Sequence, residues 1–158
     1  LGRDVLTRIL YGARVSLSVS IAGVLTAAVV GTAAGLVSAY YGGWSAAVIM
    51  RISDLLFSFP SFVLALFLMV LLGYGVTNIA VAIALIYMPI FARLSRNMAV
   101  LVKDEPWVQA ATLLGQSTPS IIGREILPNI AAPIFVQIAL AIAFGIVIEA
   151  GLSFLGLG

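Results

Sequence analysis

The sequence predicts an all-α protein, a polytopic transmembrane helix bundle with one short polar loop outside it. Three observations point there. Hydrophobic residues make up 63% of the 158 and charged residues only 9%, a balance outside the range of water-soluble domains. Four long apolar runs occur, each near the 20 residues that a helix needs to cross a bilayer. None alternates with the two-residue period, in segments of about 10 residues, that a membrane β-barrel requires. The chain is read as a single transmembrane domain over residues 1–158, with residues 104–128 as the polar loop.

The elements follow in order. Leu1 to Arg14 is basic and mildly amphipathic, and is expected to lie along the membrane interface. The first span is Val15 to about Tyr40, with no charge after Arg14. Tyr40-Tyr-Gly-Gly-Trp44 is a turn with aromatics suited to the interface. The second span is about Leu55 to Leu72, and Gly73 to Asn78 is a short uncharged turn. The third span is about Val76 to Ala92 and the fourth about Ile130 to Ile148. Pro60, Pro89 and Pro133 fall in or near spans, where each frees a carbonyl and favours a kink.

Alternating spans put the first-to-second and third-to-fourth connections on one side. That side carries Arg51, Arg93, Arg96, Lys103 and Arg124, against Arg3, Arg8 and Arg14 on the other. The positive-inside rule then places the long polar connection in the cytoplasm. The chain begins at Leu1 without methionine and stops at Gly158 after an apolar run, and is read as a portion of a longer protein.

Composition also excludes chemistry. There is no cysteine and no histidine, so there is no disulfide framework, no Cys or His metal site and no Ser–His–Asp triad. No HExxH and no GxxxxGK[ST] occurs, so no metalloprotease and no nucleotide-hydrolysing P-loop is present. A net charge of +2 gives no basis for nucleic-acid binding. The sequence points to no enzyme, no cofactor and no metal.

The polar loop holds the most specific pattern. Asp104 and Glu105 stand at a helix start, where the dipole favours acids, and Pro106 follows where no N–H is needed. Gly115 ends the run as a C′ residue does. The helix between has about ten residues, too few to span a membrane. Thr118 is expected to cap a second short helix with Pro119 at its first position, and Pro128 to end it. Ala110 and Ala111 form a small, flat patch against which another surface could pack.

Gln109-Ala110-Ala111, three residues, Gly115, nine residues, Glu125, one residue and Leu127-Pro128 together resemble the EAA loop of bacterial ABC import permeases. Gln109 stands where that family usually has Glu, and Glu125 where it commonly has an apolar residue. Gly2-Arg-Asp-Val-Leu-Thr-Arg8, Tyr11-Gly-Ala-Arg-Val-Ser-Leu17, Tyr40-Tyr-Gly-Gly-Trp44, Met50-Arg-Ile-Ser-Asp54, Phe59-Pro60 and Glu149-Ala-Gly-Leu-Ser-Phe-Leu-Gly-Leu-Gly158 are similar to the second permease subunit of dipeptide, oligopeptide and nickel importers. The resemblance covers essentially the whole chain and implies a membrane helix before Leu1 and another after Gly158. It implies a multi-pass protein of the bacterial or archaeal cytoplasmic membrane. Its implied partners are a second permease subunit, two cytoplasmic ATPases and an extracytoplasmic substrate-binding protein, with peptides, or nickel or another small solute, as cargo. It assigns Gln109, Ala110, Ala111, Leu114 and Gly115 to the helix that seats on an ATPase.

Other residues stand out on physical grounds. Gly31-Thr-Ala-Ala-Gly35 is a small-xxx-small pattern that lets a second helix approach, within this chain or in a partner permease. Arg51 and Asp54 lie three apart at the start of the second span, able to pair on one face, as an anchor or a gate contact. Glu149 is an acid late in the fourth span, 19 residues past Ile130, or about 28 Å at 1.5 Å per residue. That depth puts it near the outer interface, as a structural hydrogen-bonding group or a pathway residue. The competing reading is a stand-alone channel or secondary transporter, which favours charges at mid-membrane. The spans carry almost none.

Overall fold

The computed structural model describes residues 4–157. The readings that rest on Leu1, Gly2, Arg3 and Gly158 lie outside the described residues. The described residues are helical apart from short turns. The helices are α1 (Val5–Tyr41), α2 (Gly43–Phe57), α3 (Ser61–Leu72), α4 (Val76–Val102), α5 (Pro106–Leu113), the single turn α6 (Thr118–Ser120) and α7 (Leu127–Phe154). A π-helical turn, Ile121–Ile126, joins α6 to α7.

The long α1 corrects the first expectation. Residues 5–14 do not form a separate interfacial segment; they continue the span as one 37-residue helix. Nothing between Thr7 and Val15 breaks a helix except Gly12, which costs only about 1 kcal/mol in a helix interior. Asp4 caps the start, accepting from the Leu6 N–H at 3.0 Å and the Thr7 hydroxyl at 2.8 Å. These bonds, the hydroxyl first, hold its carboxyl below the ordinary value.

The bundle is organised around α1 and α4, which run parallel. Gly23 meets Ala80 and Ile83, Gly31 meets Met88 and Phe91, and Gly35 meets Ala92 and Ser95. At the far end Lys103 Nζ donates to the Ala39 carbonyl at 3.5 Å, a cation on the last turn of α1. Gly23, Ala27, Gly31 and Gly35 recur every four residues or so and form the seam of this contact. Apolar side chains do not drive helices together in lipid, so close backbone packing must. Helix α7 lies antiparallel on the other face of α1. Gly145 sits beside Ser20 and Val24, whereas Leu127 and Ile134 share a groove with Thr32 and Leu36.

Two parallel helices need a return crossing between them, and the structure supplies a broken one. The expected second span, Leu55 to Leu72, is not one helix. Helices α2 and α3 meet at 96° across Ser58–Pro60. Pro60 has no N–H and disfavours a helical conformation at Phe59, so the ladder stops there. Three helices among the described residues are long and apolar enough to cross a membrane, four crossings if the bent pair is one. The turns on either side use glycines with positive φ, Gly42 before α2 and Gly43 at its first position, and Gly73 and Gly75 before α4. Asn78 Nδ2 closes the second turn by donating to the Leu72 carbonyl at 2.8 Å.

Candidate functional site: an exposed helix outside the bundle

The polar loop folds into α5, α6 and the π-turn, packed together at the end of the bundle where α1 and α4 finish. Glu105 is the N-cap of α5, with Pro106 in its first turn. Gly115, at φ +77°, stops the helix. The Gln116 N–H donates to the Ala111 carbonyl at 3.1 Å and the Gly115 N–H to Thr112 at 3.0 Å, the paired bonds of a Schellman cap. The left-handed conformation at position 115 favours glycine, which adopts it without steric cost.

The second half differs from expectation. Ser117, not Thr118, is the cap residue of α6, and its side chain makes no capping bond. Pro128 does not end a helix; it lies in the first turn of α7. The π-turn immediately before it is the physical reason. Proline at 128 lacks an N–H and its ring crowds the carbonyl four residues back, and the wider turn relieves both. The last span and the second half of the polar loop are therefore one continuous rod, Thr118–Phe154.

Helix α5 is two-faced. Val108 is 2% and Ala111 5% exposed, and both belong to one buried cluster with Ile121 and Ile126 of the π-turn. The outer face presents Gln109, Ala110, Leu113 and Leu114, the last two at 88% and 82% exposure. This corrects the flat patch of Ala110 and Ala111. Ala110 faces outward, whereas Ala111 is turned in and its small size lets α5 approach the π-turn. Gly115 lies at the exposed end of the helix.

Gln109 has its own local role. Its Nε2 donates to the Asp104 carbonyl at 2.8 Å, tying α5 to the turn before it. A glutamate at this position has no hydrogen to give that carbonyl when ionised. Glu125, the other departure from the EAA pattern, is partly exposed, and its backbone carbonyl accepts from Asn129 Nδ2 at 2.6 Å. Between α5 and the end of α1 lies a cleft of about 440 Å³ lined by Tyr40, Lys103, Asp104, Gln109 and Leu113 among others.

The remaining candidates are spread apart. Gly31 and Gly35 lie in the α1–α4 seam, within this chain. Asp54 does not pair with Arg51. Its partner is Arg93 of α4, whose guanidinium also lies 4.4 Å from the Phe57 ring. Only the tertiary fold could reveal a partner 39 residues away. Glu149 is 4% exposed. Its Oε1 accepts from the Ser153 hydroxyl at 2.7 Å and its Oε2 has no partner. Among the described residues no cluster of three His, Cys, Asp or Glu could hold a metal ion.

A cavity of about 630 Å³ opens between α3, α4 and α7 and includes Ser61, Phe62, Tyr87, Gln137 and Phe144. Sequence reasoning singled out none of these. Pro60 was the available signal, since it fixes where α3 begins.

Comparison with known proteins supplies the frame for these features. Residues 27–158 match the family described as binding-protein-dependent transport system inner membrane component. The glutathione transport system permease protein GsiD of Pectobacterium atrosepticum is 41% identical over 158 residues, covering 100% of this chain and 52% of its own length. The dipeptide transport system permease protein DppC of Alkalihalophilus pseudofirmus is 43% identical over 157 residues, with 99% and 52% coverage. The GsiD protein of Escherichia coli O6:K15:H31 is 40% identical over 158 residues. The chain spans about half the length of the curated relatives it matches.

Proposed function

Because this chain belongs to the binding-protein-dependent transport system inner membrane component family, we propose that it is the membrane core of a permease subunit in an ABC importer of short peptides. A second permease subunit completes the pathway with it. Two cytoplasmic ATPases supply the energy, and an extracytoplasmic binding protein delivers the solute. The relatives named for dipeptide and glutathione transport support a peptide cargo.

The observation that carries this reading is α5. It stands outside the bundle, shows Gln109, Ala110, Leu113 and Leu114 outward, and buries Val108 and Ala111 against the π-turn. Exposed leucines on one face of a short helix can lie in a hydrophobic groove of a partner. A push on α5 reaches Ile121 and Ile126, and through the uninterrupted rod Thr118–Phe154 it reaches the membrane. A rigid contact of this kind turns closure of a docked ATPase into motion of α7.

The test is uptake by the complete transporter in sealed vesicles. ATP-dependent accumulation of a labelled dipeptide is expected only when permeases, ATPases and binding protein are all present. Uptake by the permeases alone, driven by a proton or sodium gradient, would establish a secondary transporter instead.

A further inference from the structure

We infer that the cavity at the α2–α3 break is a wall of the solute pathway that receives the carboxylate end of a peptide. This inference rests on the permease reading above and adds the site and the chemistry. Three observations converge. First, the break lies within the length of the bundle: Phe62 and Tyr87 line one cavity, and Tyr87 is near the middle of α4. Ser58, Phe59 and Pro60 are exposed there. Non-helical backbone at membrane depth does not face lipid; it is covered by protein or lines water. Second, α3 starts at this opening with no side-chain cap, because its N-cap residue is Pro60. The first N–H groups of the helix, at Ser61 and Phe62, are at the cavity wall, at the positive end of the dipole. Third, Tyr87 is only 7% exposed and lines the cavity, and its hydroxyl is not among the enclosed unpartnered atoms, so it is open to the cavity. Gln137 of α7 lies in the same wall and adds an amide.

The donors fit a carboxylate, and no charged side chain lines the cavity. Glu149 is not among its lining residues. Broken helices at mid-membrane hold anionic substrate groups in this way, with the half-helix N-terminus in place of a fixed cation. The absence of a cation suits a pathway, since a solute must bind well enough to enter and weakly enough to leave. Phe62 and Phe144 supply apolar surface for the side chains that follow the carboxylate.

The test uses the full transporter in vesicles, with an unaltered binding protein and two cargoes, a dipeptide and its C-terminal amide. Because the binding protein is common to all samples, a changed preference belongs to the permease. Tyr87→Phe and Gln137→Leu are each expected to lower the acid-to-amide uptake ratio about fivefold or more, the size of losing a hydrogen bond to a charged group. An unchanged ratio in both overturns the inference. Wild-type vesicles that take up neither cargo refute the permease reading itself, a separate result. Should a variant fail to assemble, Gln137→Cys decides the matter, because the chain has no cysteine of its own. Labelling by a water-soluble thiol reagent is expected, slowed during dipeptide turnover and not by the amide. No labelling, or equal slowing by both, overturns it.

Discussion

Replacing Gly31 by alanine isolates the close packing of α1 on α4. A Cβ at Gly31 meets the Met88 carbonyl oxygen at 2.5 Å and Phe91 Cβ at 2.8 Å. Ordinary contact begins at 3.4 Å, so the helices must part by about 1 Å, and a backbone carbonyl cannot swing aside as a side chain could. Overpacking of this kind costs about 1–3 kcal/mol. Alanine also gains about 1 kcal/mol over glycine in any helix interior. Gly12, in the same helix, has nothing within 4 Å of such a Cβ, so Gly12→Ala carries the gain alone. The two variants should differ by about 1–3 kcal/mol, with Gly31→Ala the less stable. Reversible unfolding in mixed detergent micelles reads the difference. Equal stability of the two would refute the α1–α4 seam as the place where Gly31 is used.

Three further outcomes follow from the placements above. Asp54→Asn should cost no more than about 1 kcal/mol, since both partners of the Arg93 pair are near half exposed; Arg51→Ala should cost less still, and a larger loss for Arg51 in the same unfolding assay would contradict the pairing. Gln109→Glu should loosen the turn before α5, seen as faster hydrogen exchange of the α5 amides, because the bond to the Asp104 carbonyl is lost; an unchanged exchange profile would show that the bond contributes nothing. Glu149→Gln keeps an acceptor for Ser153 and removes a buried carboxylate with one unpartnered oxygen, so stability should hold or rise. A marked loss of assembly or transport in that variant would mean that the acid itself is needed.

Much of the architecture was legible because membrane helices are written in long apolar runs, and four such runs mapped onto the bundle. The 96° break was not, because a run of apolar residues does not register direction. Pro60 marked the spot, but whether proline kinks a span or ends it depends on the neighbours that cover the freed backbone. Pro128 misled in the opposite sense: it reads as a stop, yet it starts α7 because the π-turn before it makes room. The inward turn of Ala111 had a faint signal, since Val108 and Ala111 are spaced three apart and share a face. Which face is buried depended on Ile121 and Ile126, and only the fold brings those beneath α5. The Asp54–Arg93 pair and the Tyr87 cavity join distant segments and have no local signature at all.

The central proposal is that the outer face of α5 docks on an ATPase, while its inner face holds the π-turn. The most direct measurement places single cysteines on α5 in the assembled, otherwise cysteine-free transporter, with a cysteine at the rim of the ATPase cleft. Leu114→Cys should cross-link rapidly and change its rate through the ATP cycle, whereas Ala111→Cys, buried at 5% exposure, should not cross-link. Cross-linking through Ala111 and none through Leu114 would contradict the account.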